Sequence, residues 1–289
     1  MAAVHTEEAT IAGVTGVLGG EASGRQSWFR RRVQTAIPPL VAFVLLVGAW
    51  EVVVDLLKIP RYLVPPPSAV FATAIARWGD LIGAVGTTFL AALAGLAASI
   101  VFGVSAALVM SQSKVLERSL YPYAVILQTI PIIAIAPLVV IWVGAGTTAV
   151  IIISFLISLF PMISNTAAGL TSTDHNLMNM FDLYNSNWWQ RIVKLKLPFA
   201  LPYIMAGLRI SSGLAIIGAI VGEFVGGIAG QRGGLGYVLT AAAIRLDMPY
   251  LFAAAFASAM LGITIFIVVS VLQHLSLRHW HESAVTREA

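Results

Sequence analysis

Seventeen lysines and arginines, thirteen aspartates and glutamates, five histidines and no cysteine are all that 289 residues supply for ionic or nucleophilic chemistry. Without cysteine neither a thiolate metal site nor a disulfide framework can be built. His279 and His281 alternate on a tail with no third ligand in sequence reach, which reads as a solvated pair and not a metal centre. There is no Gly-x-Ser-x-Gly elbow and no His-Glu-x-x-His helix. The glycine run GGIAGQRGGLG (226–236) is not followed by Lys-Ser or Lys-Thr, so no phosphate loop is encoded. Hydrolytic and nucleotide chemistry are thereby excluded as readings of this chain. What remains is a polar segment, Asn165 to Arg209, and four ionisable residues expected near the ends of apolar runs: Glu51, Asp55, Arg209 and Glu223.

The polar segment is the longest of its kind enclosed by apolar runs. Between Thr171 and Lys196 it carries eleven charged, amide or imidazole side chains. Each would cost several kcal/mol in hydrocarbon, so the segment belongs in water. Leu177, Met180, Phe181 and Tyr184 fall at i, i+3, i+4 and i+7, with Asp174 placed to cap the helix they define. A second helix is expected from about Asn187 to Leu195, with Trp188, Ile192 and Leu195 on one face. Pro198 and Pro202 then mark a bend into the next apolar run. The two short helices, joined at Asn185-Ser186, form a plug shaped to fit a partner.

The elements that must hold this plug are membrane spans. Hydrophobic residues make up 58% of the chain and charged ones 10%, against about 25% charged in soluble domains. Residues 1–33 read as a disordered tail without the pattern of a secretory signal, 34–278 as one transmembrane domain with its loop at 171–198, and 279–289 as a second tail. Six spans are expected, near 37–57, 81–110, 120–143, 150–165, 201–226 and 249–275. Pro122, Pro131 and Pro137 should bend or break the third, and Pro161 should interrupt the fourth. Prolines 65–67 end any helix before Ser68, which can cap the turn that follows. Small residues along the second span suit close helix approach.

The spacing Asn179-Met180-Phe181, three residues, Asn185, nine residues, Leu195-Lys196-Leu197-Pro198 resembles the EAA loop of ABC importer permeases. Asn179 stands where that family has Glu, Met180 and Phe181 where it has two Ala, and Asn185 where it has Gly. Asn follows Gly in tolerance of the left-handed conformation that a helix-to-helix turn demands. Pro65 to Val70, Leu127 to Leu138 and Trp142 to Gly146 resemble the sulfonate, taurine and nitrate importers of the same family. The resemblance runs from about Pro65 to Leu275. It implies an all-α membrane protein with the six-helix transmembrane domain of a type I ABC importer and a cytoplasmic coupling-helix loop.

The resemblance further implies that Asn179, Met180, Phe181, Asp182, Tyr184, Asn185 and Pro198 couple to a cytoplasmic ATPase dimer; Asp182, three residues on and on the same helical side, is the candidate for the charge that Asn179 lacks. Gln128, Thr129, Pro131, Glu223 and Arg232 are the expected residues of the translocation path or outer vestibule. For Glu223 the competing expectation is helix packing or an arginine partner. An external binding protein and a second permease copy complete the expected assembly; nucleic acid has no part in it, and the basic residues follow positive-inside bias. No cofactor or metal is expected in this chain, and ATP and Mg belong to the partner ATPase. With both termini cytoplasmic, eleven Lys or Arg lie inside and five outside. The chain is then a non-enzymatic permease of the plasma membrane that imports a small solute: a sulfonate, taurine, a nitrate-like anion or a heteroaromatic vitamin precursor. The alternative is an ion-coupled secondary transporter, which shares broken helices but calls for midplane carboxylates or an inverted repeat.

Overall fold

Runs of Leu, Ile, Val and Ala in lipid have no water to satisfy their backbone groups, and a helix is the form that satisfies them internally. The computed structural model describes residues 37–39, 41–226 and 233–281, and every regular element among these is helical. In order they are α1 (Ile37–Leu56), α2 (Pro67–Ala76), α3 (Trp78–Met110), α4 (Lys114–Thr129), α5 (Ile132–Val143), α6 (Thr147–Thr171), α7 (His175–Leu183), α8 (Trp188–Arg191), a π turn (Ile192–Lys196), α9 (Leu197–Gly226), α10 (Leu235–Ile244) and α11 (Met248–His281). Five stretches are long and apolar enough to cross a membrane: α1, α3, α6, Trp188–Gly226 and Met248–Leu277.

The chain separates into two units, residues 1–68 and 69–289. In the first, α1 carries Glu51 near its end. The Ser68 amide donates to Glu51 Oε2 at 3.0 Å and the Ser68 hydroxyl to Oε1 at 2.6 Å. The capping expected of Ser68 is thus done by Glu51, a carboxylate set against the free amides of a helix start.

In the second unit α3, α6 and α9 pack at the centre, and small residues let them. A methyl group on Gly95 would collide with Ser154 Oγ, one on Gly218 would sit 2.7 Å from Ser154 Cα, and one on Gly222 would sit 3.0 Å from Val150 Cα. The same approach brings buried hydroxyls together. Ser99 Oγ meets Ser158 Oγ at 2.5 Å, Ser154 Oγ donates to the Ala215 carbonyl at 2.8 Å, and Ser211 Oγ to the Ser158 carbonyl at 2.7 Å. Close packing and interhelical hydrogen bonds hold helices together where lipid offers no hydrophobic drive.

The expected third span is two helices, broken between Ile130 and Pro131; Pro131 caps α5 in an extended conformation. Gly144 and Gly146, at φ 85° and 149°, then turn α5 into α6. One expectation is corrected. Pro161 does not interrupt α6, which runs unbroken to Thr171, with Asn165 Nδ2 donating to the Pro161 carbonyl at 2.8 Å. Pro198 and Pro202, expected to mark a bend, lie within one continuous helical stretch, Trp188–Gly226. The π turn directly before α9, where the Leu197 amide bonds to the Ile192 carbonyl, widens the helix where the Pro198 ring would otherwise press on the preceding turn.

Candidate functional site: a clamped polar loop and an anchored short helix

Local chemistry builds the polar loop from the residues upward. Asp174 Oδ1 accepts from the Asn176 amide at 2.8 Å and starts α7. Asn185 takes φ 49°, the left-handed conformation expected of it, and ends that helix. Asn187 and Gln190 then form a capping box, each side chain accepting from the other's amide at 2.8 and 3.0 Å. Arg191 ties the two helices together: it pairs with Asp182 at 2.6 Å, and its Nε donates to the Ser186 carbonyl at 3.2 Å and hydroxyl at 3.1 Å. At the root of the loop Lys196 Nζ donates to the Ser111 carbonyl, 3.1 Å away, just beyond α3.

This frame decides which apolar side chains are left over. Ile192 and Leu195 are buried, whereas Trp188, one turn before Ile192, is exposed. Leu177 and Phe181 are half-buried, and Asn179 and Asp182 are exposed. The free apolar face consists of Met180 (43% exposed), Leu183 (83%) and Tyr184 (81%), with Trp188 and Trp189 beside it. Leu183 and Trp189 were absent from the sequence-based set. The i, i+3, i+4 spacing of residues 180, 183 and 184 could have identified Leu183.

At the other end of α9, about 39 Å along the helix from Leu197, Glu223 is fully buried. Its carboxylate accepts from Thr88 Oγ1, 2.9 Å from each oxygen, and from the Gly236 amide at 2.9 Å. Thr88 Oγ1 in turn accepts from the Leu235 amide at 2.8 Å. Both amides belong to the first turn of α10, so Glu223 on α9 and Thr88 on α3 together cap that helix, where negative charge is favoured. Glycine is required here for space. A Cβ on Gly234 would overlap the Glu223 carboxylate, and one on Gly236 would overlap the Ile220 carbonyl. Among the described residues the partners of Glu223 are therefore a threonine and a helix start.

Beside α10 a cavity of about 650 Å³ opens between the starts of α3 and α11. Arg77 crosses its edge, paired with Asp247 at 2.9 Å and lying 4.6 Å over the Tyr250 ring. Gln128 and Thr129 are exposed at the α4–α5 break with Pro131, and Thr129 donates to the Ile126 carbonyl at 2.8 Å. The structure does not bring them to Glu223 through any hydrogen bond among the described residues. Arg232 lies outside the described residues, as do Gly227 and Gly230. No group of three or more metal-ligating side chains occurs among the described residues.

Residues 99–281 match the family described as binding-protein-dependent transport system inner membrane component. The chain is 35% identical to the formylaminopyrimidine transport permease protein ThiX of Halalkalibacterium halodurans, over 86% of this chain and 97% of that one. It is 32% identical to the riboflavin transport system permease protein RibX of Chloroflexus aurantiacus, over 84% and 90%. The fold is similar to that in the crystal structure of an amino acid ABC transporter, with a TM-score of 0.55 at 16% identity, covering 71% of this chain and 97% of that one. By its family match, its relatives and its helical fold, the chain belongs to the binding-protein-dependent permeases of ABC importers.

Proposed function

We propose that this permease imports a small solute into the cytoplasm, driven by a separate ATPase that docks on α7 and α8. The observation that carries the reading is the exposed face of Met180, Leu183 and Tyr184 on a loop that must sit in water. Apolar patches of this kind mark contact sites. The loop is stiffened by Arg191 and is continuous with α9, so a displacement imposed on it reaches the membrane as motion of a packed pair, α6 and α9. The loop end then faces the cytoplasm, while Glu223, α10 and the adjoining cavity face the binding protein outside. ATP and Mg belong to the partner, and a second permease copy closes the pathway. Relatives named for formylaminopyrimidine and riboflavin support a small heteroaromatic solute over the inorganic anions.

The test is uptake into proteoliposomes holding the permease, its ATPase and its binding protein, with proton and sodium gradients collapsed. The probe is the solute released from the copurified binding protein and identified by mass spectrometry. Uptake should require ATP alone. Uptake that needs an ion gradient and ignores ATP would establish the secondary-transporter alternative instead.

A further inference from the structure

Arg209 lies deeper in its span than the sequence suggests. From Leu197 to Gly222 it is the only charged residue, 12 positions from the first and 13 from the second, which places it about 18 to 20 Å from either end of that stretch. Its head does not reach toward an end. The guanidinium carbon sits 4.3 Å over the ring of Phe266, itself well inside α11. Arg209 is exposed on the permease surface, and no ion pair to it occurs among the described residues.

A guanidinium at this depth is not left facing hydrocarbon; it faces water, a counter-charge or protein. Among the described residues a second copy of the chain offers no free carboxylate at that depth, Asp55 standing one residue before the end of α1. The spanning stretches of α3, α6 and α11 contain no acidic residue apart from Asp80 at the start of α3. Glu51 is held by Ser68, and Glu223 is held by Thr88 and Gly236 about 21 Å further along α9. We propose that Arg209 lines the aqueous route through the membrane, where it attracts solutes that present acceptor oxygens or ring nitrogens, anionic or neutral, and excludes cations. This rests on the importer reading above. Phe266 beside it adds an aromatic edge suited to a planar solute.

The chain has no cysteine of its own, so a single reporter decides the matter. Gly213 lies one turn from Arg209 on the same helix side, with nothing within 4 Å of an added Cβ. In the full complex with its ATPase, Gly213→Cys is reacted with an anionic sulfonatoethyl and a cationic trimethylammonioethyl methanethiosulfonate. Both should react, the anionic reagent being favoured by about tenfold or more. That preference should vanish in Arg209→Gln and persist in Arg209→Lys. Reaction only with membrane-permeant N-ethylmaleimide, or with no reagent at all, would overturn the proposal, and so would a preference unaffected by Arg209→Gln. Copurification of the ATPase is scored on the same preparations. Its absence sinks the importer reading, whereas its presence without aqueous labelling sinks only this inference.

Discussion

Arg191 reaches back across a turn to Asp182 at 2.6 Å, and this pair makes one body of the two helices that leave the membrane. Asp182 is half exposed and already engaged, so it is not a free charge held ready for a partner. An exposed pair of this kind contributes about 0 to 1 kcal/mol. Asp182→Ala should therefore leave ATPase binding within about threefold of wild type. Arg191→Ala also releases both bonds to Ser186 and should speed limited proteolysis between Leu183 and Trp188. Equal cleavage of both variants and wild type would show that the clamp has no mechanical role.

Glu223→Ala should destabilise the permease, because it leaves the Thr88 hydroxyl proton and the Gly236 amide without an acceptor in a buried place. Each orphan costs about 1 to 3 kcal/mol. Glu223→Gln keeps an acceptor and should lose less. Thermal unfolding in detergent orders the three proteins as wild type, Gln, Ala; an unchanged midpoint for Ala would remove the anchoring role assigned to Glu223.

Asn185→Gly should be tolerated and Asn185→Val should not. The left-handed conformation at this turn costs a residue with a Cβ about 1 to 2 kcal/mol, and Asn and Gly escape most of that. The readout is ATP turnover of the reconstituted complex: wild-type values for Val would mean that the turn does not set the geometry of the loop.

The loop was legible because its signals are local. Asp174, Asn185 and the i, i+4 pattern of α7 act within a few residues, and the structure shows the cap and the turn where the spacing put them. Phe181 is half-buried against the permease, and period alone does not say which side of an amphipathic helix meets the rest of the protein. The partners of Glu223 were beyond reach for another reason. Thr88 is 135 residues away, and nothing in either neighbourhood names the other. Pro161 misled at α6, where neighbouring helices absorb what would break an isolated helix, and at the start of α9 a π turn precedes Pro198.

The central claim is that the outward face of α7 receives the ATPase, and Leu183→Asp combined with Tyr184→Asp tests it most directly. Both side chains stand free of the permease, so the fold should survive their replacement. Burying either one at an interface would be worth about 1.5 to 3 kcal/mol, and 1.4 kcal/mol is about one decade in affinity. Titrating the purified ATPase against the reconstituted double variant should show binding weakened by at least about tenfold, with ATP-driven uptake lost in parallel. Wild-type affinity together with wild-type uptake would contradict the coupling role of this loop.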